Sequence, residues 1–265
     1  KIDGETVMIT FDPHPREVLQ AGSKQVPLLN TLPEKSALLA LFGIDHLVIV
    51  PFTEAFAHMD AHEYVASFLL GKFHPHTIII GYDHHFGAGR KGDYKLLENY
   101  RDQHHFMLEE IPMQVVNEIN VSSTRIRESI REGKVIEAAR LLGYPYFFEG
   151  TVVKGNQMGR TIGFPTANLQ INGNNKLLPK KGVYAVTVLI ESDSGLFPSQ
   201  ENKAIPGMMN TGLRPTVDGT HWVTEVHLLD FNGDLYGKKV RVFLHDYLRD
   251  EQKFAGLEEL RKQLE

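Results

Sequence analysis

The spacing of apolar residues changes near residue 144, and this change limits the possible folds more than any other feature of the chain. Before it, three short β-branched runs at residues 7–11, 47–50 and 77–80 alternate with helix-like segments at residues 33–42 and 62–70. Strands that alternate with helices indicate βαβ units and a parallel sheet covered on both faces. Ligands of such sheets bind beyond the carboxyl ends of the strands. The first half therefore predicts an α/β domain whose site lies in the loops after these runs.

The second half shows strand-like runs separated by turn signals. The candidate strands are residues 146–154, 183–190, 203–210, 222–229 and 238–244. Strands at this spacing predict a small antiparallel β-barrel. A final helix over about residues 250–264 carries leucines at helical spacing, and we expect it to pack over the barrel. We predict two domains, at residues 1–144 and 145–265.

Composition excludes several classes of function. The 28 basic and 33 acidic residues give a net charge of −5, which does not favour nucleic acid or an anionic membrane as partner. No apolar run reaches the ~20 residues of a membrane span, and no signal peptide is visible. Cysteine is absent, and no cluster of carboxylates completes a zinc site with the 13 histidines, so we expect no structural metal. We predict a cytoplasmic protein.

A glycine-rich stretch at residues 150–169 opens the second half. It contains a candidate phosphate cradle of glycines and basic or hydroxyl side chains: Lys154, Gly155, Gly159, Arg160, Thr161 and Gly163. Thr166 and Asn168 follow on an extended segment, where alternate residues project to the same side. Their neutral oxygens suit Mg²⁺ bound together with phosphate. For the glycines alone, the alternative is an ordinary hairpin loop.

Three loops of the first half are candidate anion or nucleotide sites. Two prolines flank His14 after the first run, and a basic glycine-rich loop containing Asp83 follows the third. A rigid surface turn and a flexible connection are the alternatives for these two loops. Hydroxyls and arginines at a helix start form the third candidate: Ser122, Ser123, Thr124, Arg125 and Arg127. An N-cap followed by solvated arginines is its alternative. Residues 172–176 are interpreted as a mobile polar tip without a function.

The stretch from the glycines through Pro165-Thr166-Ala167-Asn168 resembles the ATP-binding flap and Pro-Thr-Ala-Asn motif of riboflavin kinases. The resemblance implies that Thr166 and Asn168 hold Mg²⁺ with ATP beneath the flap. It also implies that Glu225 is the catalytic base and that Arg249 lies in a loop near the flavin. Taken alone, Glu225 is more readily interpreted as an outward-facing charge on an edge strand, which is the commoner place of a strand glutamate. Asn210 is interpreted as a structural residue in an irregular turn.

The loops of the first half, taken together, resemble the FMN adenylyltransferase domain of bacterial bifunctional riboflavin kinase/FAD synthetases. That family implies a Rossmann-like nucleotidyltransferase fold, with ATP phosphates at residues 122–127 and the nucleotide and flavin near Asp83 and His14. The His-x-Gly-His motif of the family does not occur in this sequence. We expect the βα unit that carries it to precede Lys1. Without that unit, adenylylation would be lost or nearly so.

These resemblances predict a flavin-cofactor enzyme that uses riboflavin, FMN and ATP with Mg²⁺ and forms FAD. Its barrel would phosphorylate riboflavin to FMN, and its first domain would transfer AMP to FMN with release of pyrophosphate. Two alternatives stay open. One is a kinase-only enzyme with a remnant nucleotidyltransferase domain, and the other is a non-catalytic flavin-binding regulatory protein.

Overall fold

The computed structural model describes residues 4–19, 26–116, 119–155, 159, 163–173, 175–190, 195–200, 202–216, 219–252, 254 and 256–264. Of residues 119, 214–216, 219–221, 257, 260 and 264 it describes the backbone alone. The chain divides into two compact units. The first unit is Lys1–Val26 with Gly43–Val121, and the second unit is Pro27–Phe42 with Ser122–Glu265. The second unit thus includes segments before residue 144, and the predicted catalytic boundary at 144 remains a prediction.

The helices, in chain order, are α1 Pro15–Leu19, α2 Leu32–Leu41, α3 Glu54–Ala57, α4 Ala61–Glu63, α5 Gly71–Phe73, α6 Tyr94–His104, α7 Ser123–Arg131, α8 Val135–Leu142 and α9 Leu257–Leu264. The π-helical segment Tyr64–Leu70 joins α4 to α5, and Ala88–Arg90 forms a 3-10 turn. The strands are β1 Val7–Asp12, β2 His46–Pro51, β3 Thr77–Gly81, β4 Met107–Ile111, β5 Val115–Val116, β6 Ile119–Asn120, β7 Phe147–Val153, β8 Ala167–Ile171, β9 Gly182–Ile190, β10 Ile205–Thr216, β11 Gly219–Leu228 and β12 Lys239–Arg249.

The first unit contains the predicted parallel strands, and its short strands β5 and β6 form an antiparallel pair. β1 pairs with β2 and β3 pairs with β4, both in parallel. Alternate residues such as Phe11, Val50 and Ile80 join an apolar core with Val65 and Leu97. The opposite face of the strands is exposed, however. Its apolar side chains are Met8, Ile49, Ile79 and Met107. The prediction that helices cover both faces is therefore wrong for the described residues.

Local sequence explains where several helices begin and end. The Asp93 side chain accepts a hydrogen bond from the Leu96 backbone at 3.0 Å and so caps α6, as predicted. Gly143 ends α8 with φ +82°, a left-handed position that favours glycine. The C-terminal helix begins at Leu257 and not near Asp250. Asp250 is instead held by Lys180 at 2.9 Å and by the Tyr247 hydroxyl at 2.6 Å.

The second unit contains a closed antiparallel barrel with the strand order β10-β11-β8-β7-β12-β9. Side chains alternate between its interior and its outer wall. Leu169, Tyr184, Met209 and Val226 are buried, and the residues next to them in sequence face outward. The barrel prediction is confirmed. Because the barrel is closed, β11 is not an edge strand.

A buried ion pair joins α2 to the barrel within the second unit. Lys176 Nζ lies 2.6 Å from Glu34 Oε2 and 2.7 Å from the Leu29 carbonyl oxygen, and the two charged side chains are 0% and 1% exposed. The Lys176 ammonium also lies 4.6 Å from the centroid of the Tyr146 ring. Burial lowers the pKa of Lys176 to about 8, and the attraction of Glu34 opposes this shift only in part. The prediction of a mobile polar tip at residues 172–176 is therefore wrong for Lys176.

Candidate active site

One row of residues across the barrel wall brings the candidate catalytic groups together. Asn168 on β8 lies directly opposite Glu225 on β11, and Glu225 lies directly opposite Asn210 on β10. The row continues to Val183 on β9, which is the Cα partner of both Asn210 and Arg249. Directly opposite residues project to the same face, with Cβ atoms ~4.5–5.5 Å apart. Asn168, Glu225 and Asn210 are therefore neighbours on the outer wall.

The row is half-buried. Its members alternate along their strands with fully buried residues such as Thr224 and Met209, so they face away from the barrel interior. Thr166 lies two residues before Asn168 and is half-buried as well. An amide, a hydroxyl and a carboxylate on one semi-enclosed surface could hold a cation and accept a proton.

The first glycines of the flap lie directly on this surface. An added Cβ at Gly155 would fall 2.7 Å from Asn168 Oδ1, and one at Gly159 would fall 3.4 Å from Thr166 Oγ1. The Phe164 N–H donates to the Gly159 carbonyl oxygen at 2.9 Å and closes the loop. Glycine is needed at Gly155 because any side chain would displace the Asn168 amide.

The remaining flap residues contribute less to the described geometry. Lys154 is exposed, and Gly163 is exposed with φ +86°. Arg160 and Thr161 lie outside the described residues, so their predicted phosphate contacts have no structural counterpart here.

His227 contacts the segment that precedes Thr166, and it was not singled out from the sequence. Its Nδ1 lies 2.8 Å from the Pro165 carbonyl oxygen, and its ring meets Phe164 edge-on at 5.4 Å between centroids. Since a carbonyl oxygen can only accept, Nδ1 carries the proton. Its spacing from Glu225 could have identified it, because residues two apart on a strand lie on the same face.

Cavities lie near both ends of this surface. A small cleft beside Thr166 is lined mainly by apolar and aromatic side chains, among them Leu228, Phe231 and Tyr236. A cavity of about 610 Å³ is lined by Glu251, Trp222, the basic residues Arg131, Lys180 and Lys181, Asp250 and the segment 177–179. The Asn210 Nδ2 group donates to Glu251 Oε1 at 3.3 Å, which connects the row to this larger cavity.

Arg249 ends β12 with its guanidinium 5.9 Å from the Phe254 ring centroid. Its Nη1 donates to the Asp250 carbonyl oxygen at 3.3 Å. Arg249 thus lies on β12, next to Val183 of β9, in the same row as Glu225.

Two adenylyltransferase candidates lie in the first unit. His14 is half-buried before α1, and its Nδ1 accepts from the Arg16 N–H at 3.2 Å. Asp83 is exposed in the loop after β3. Burial lowers the pKa of the neighbouring His84, while Asp83 acts in the opposite direction. Phe86 is buried in the core, so this loop is anchored at its centre.

The other adenylyltransferase candidates lie at the start of α7 in the second unit. The Ser122 hydroxyl accepts from the Arg125 N–H at 3.2 Å and caps the helix, while Ser123 and Thr124 are exposed. Arg125 forms an ion pair with Glu137 at 3.0 Å. Arg127 donates to the carbonyl oxygens of Pro27 and Ser123 at 3.0 and 3.1 Å. Both arginines are therefore engaged by protein groups and are not merely solvated.

Among the described residues, no helix combines the length and apolar character needed to cross a membrane.

Comparisons with known proteins agree with this arrangement. A riboflavin kinase family model matches residues 142–265, and an FAD synthetase family model matches residues 2–125. A relative from Escherichia coli (strain K12), named bifunctional riboflavin kinase/FMN adenylyltransferase, is 38% identical over 97% of this chain and 79% of its own length. A relative of the same name from Listeria monocytogenes is 37% identical over 98% of this chain and 79% of its own length.

A solved structure has the same fold. The crystal structure of a macrolide-efflux protein from Streptococcus pneumoniae superposes with a TM-score of 0.88 at 33% identity, covering 98% of this chain and 81% of that chain. The two family models and the identities to the curated relatives show the family. The chain belongs to the bifunctional riboflavin kinase/FMN adenylyltransferase family.

Proposed function

We propose that the chain phosphorylates riboflavin to FMN with ATP and adenylylates FMN to FAD with release of pyrophosphate. One observation supports the kinase assignment most strongly. Asn168 lies directly opposite Glu225 on the neighbouring strand, and the flap residue Gly155 packs against the Asn168 amide. Phosphoryl transfer needs positioning, charge neutralisation and an acceptor for the hydroxyl proton, and this surface supplies groups for each.

Thr166 Oγ1 and Asn168 Oδ1 would hold Mg²⁺ bound to the ATP phosphates. Both are neutral oxygen donors, and both lie beneath flap glycines. Bound Mg²⁺ would neutralise charge that develops on the transferred phosphoryl group. The flap, including Lys154, Arg160, Thr161 and Gly163, would enclose the phosphates. The cleft beside Thr166 would take the nucleotide base, because its lining is apolar and aromatic.

Glu225 would accept the proton of the riboflavin 5′-hydroxyl as that oxygen attacks the γ-phosphorus and the bond from the γ-phosphorus to the departing ADP breaks. It lies between Asn168, which would hold the metal, and Asn210, whose amide donates to Glu251 in the wall of the larger cavity. That cavity has the size of a small-molecule site and contains the only tryptophan of the sequence, Trp222. We assign it to the flavin ring, with Arg249 nearby on β12.

The adenylyltransferase roles of His14, Asp83 and residues 122–127 rest on the resemblance and on membership of the family. A helix start with exposed hydroxyls at Ser123 and Thr124 suits phosphate. The ion pair of Arg125 with Glu137 means that this arginine must exchange its partner to bind an anion. Residues 1–144 and 145–265 would be the two catalytic domains, and we propose a cytoplasmic site of action, where both reactions find ATP.

The test is chromatography of the full chain incubated with riboflavin, ATP and Mg²⁺, and separately with FMN, ATP and Mg²⁺. The proposal expects FMN in the first reaction and FAD in the second. FMN without FAD would indicate the kinase-only alternative. Flavin binding without either product would indicate the regulatory alternative. Omitting Mg²⁺ should abolish FMN formation.

A further inference from the structure

Asn210 has a place in the site that its sequence context does not suggest. It ends the predicted strand 203–210 and was interpreted as a structural residue of the irregular turn that follows, but β10 continues through it to Thr216 and sets it directly opposite Glu225. Strand pairing thus sets its side chain next to the candidate base on the same outer face. Asn168 flanks Glu225 on the other side. Glu225 is therefore positioned between two asparagines.

The orientation of the Asn210 amide follows from its partner. Its Nδ2 lies 3.3 Å from Glu251 Oε1, and a carboxylate oxygen can only accept a hydrogen bond. The NH₂ group therefore faces Glu251, and Oδ1 faces away from it. Within the described part of the chain, Oδ1 is buried and has no hydrogen-bond partner. Buried acceptors without donors are uncommon in native proteins, so this oxygen calls for a donor that the protein does not provide.

Glu251 is well placed to hold that orientation. Its carboxylate lies against Gly212, where an added Cβ would fall 2.6 Å from the carboxyl carbon. It also forms part of the wall of the 610 Å³ cavity assigned to the flavin ring. The Asn210 amide therefore lies between Glu225 and that cavity, on the side of the site opposite to Asn168.

We propose that Asn210 is a substrate-binding residue whose Oδ1 accepts a hydrogen bond from a hydroxyl of the riboflavin side chain. The inference rests on the proposed kinase function. Riboflavin carries several hydroxyl donors between its ring and the hydroxyl that is phosphorylated, whereas the ATP triphosphate offers only acceptors. Neighbouring strands lie ~4.8 Å apart, so a chain that brings its terminal hydroxyl to Glu225 passes Asn210 on its way to the cavity.

The experiment compares riboflavin with analogues that each lack one side-chain hydroxyl other than the terminal one. For the wild type, removing the hydroxyl that Asn210 binds should lower kcat/KM on the order of tenfold or more, because a buried acceptor is then left without its donor. For Asn210→Ala, riboflavin and that analogue should differ less than about twofold. The variant should raise KM for riboflavin and leave KM for ATP unchanged.

Asn202→Ala is the matched control, since Asn202 is a half-buried asparagine of the same unit just before β10. It should discriminate between the substrates as the wild type does. If Asn210→Ala does not fold, Asn210→Ser replaces it, because its shorter side chain does not reach the same position.

Wild-type discrimination retained in the Asn210 variant would overturn the inference, and so would a wild type that accepts every analogue equally. In both cases FMN formation from riboflavin would leave the proposed kinase function standing. A wild type that forms no FMN would overturn the kinase function and this inference together.

Discussion

The buried ion pair between Lys176 and Glu34 predicts a large and specific loss of stability. Lys176→Met leaves the Glu34 carboxylate buried without its counter-ion. Such a group becomes protonated in the folded state. Protonation costs ~1.36 kcal/mol for each unit by which the pH exceeds the ordinary glutamate pKa of ~4.3, or about 4 kcal/mol at pH 7.5. Direct measurements of broken buried pairs give ~3–5 kcal/mol, in agreement. We expect the free energy of unfolding to fall by about 4 kcal/mol.

The sign of the pH dependence follows from the same protonation. In Lys176→Met the folded state keeps the proton on Glu34, and the unfolded state releases it above pH ~4.3. The variant therefore loses stability as the pH rises, and its deficit relative to wild type should shrink to about 1.5 kcal/mol at pH 5.5.

Removing both charges should change the free energy of unfolding only slightly. Glu34→Gln with Lys176→Met keeps an oxygen to accept from the Thr31 N–H, which Glu34 accepts at 2.8 Å in the capping box of α2. Burial lowers the pKa of Lys176 despite Glu34, so the cost of burying the ammonium exceeds the attraction within the pair. We expect the double variant to lie within about 1 kcal/mol of wild type.

Urea unfolding followed by the fluorescence of Trp222 measures these differences in the second unit. A Lys176→Met deficit below about 1 kcal/mol at pH 7.5 would refute the reasoning, because the carboxylate would then be solvated. A double variant as unstable as the single one would refute it as well, since the loss would come from packing and not from charge.

Two further predictions concern the flap. Gly155→Ala should lower kcat/KM for ATP on the order of 10²-fold, because the added methyl group displaces the Asn168 amide. Gly256→Ala is the control and should behave as wild type, since an added Cβ there meets nothing within 4 Å. Equal kinetics for both variants would contradict the contact between Gly155 and Asn168. His227→Phe keeps an aromatic ring but loses the hydrogen bond to the Pro165 carbonyl oxygen. Steady-state assays should show kcat/KM for ATP falling about two- to tenfold. An unchanged kcat/KM would show that His227 does not position the segment at Pro165.

Local pattern was enough to predict most elements of the fold. The β-branched runs marked β1 to β3, and turn residues between alternating segments marked most strands of the barrel. β4 was missed because its sequence, Met-Leu-Glu-Glu-Ile, has charges within the run. β8 was predicted only as an extended segment, since Pro165, Thr166 and Asn168 interrupt its apolar character.

The candidate site was only partly predictable, because its geometry depends on pairing between distant strands. The sequence could propose Asn168 and Glu225 separately. They lie opposite each other only because β8 is next to β11 in the closed barrel. The role of Asn210 was missed because Asn-Thr-Gly favours a turn at the end of the predicted strand, whereas in the barrel β10 continues to Thr216. Lys176 was missed because its partner Glu34 is 142 residues away, and no local pattern reports such a contact.

The most direct test of the account is the rate of FMN formation by Glu225→Gln, measured with riboflavin and Mg²⁺–ATP at saturation. A glutamine keeps the shape of the side chain but cannot accept the proton, so the rate should fall ~10²–10⁴-fold, with the unfolding midpoint unchanged. Glu109→Gln, an exposed glutamate on β4, is the control and should keep the wild-type rate. A folded Glu225→Gln that forms FMN as fast as the wild type would contradict the claim that Asn168, Glu225 and the flap form one phosphoryl-transfer site.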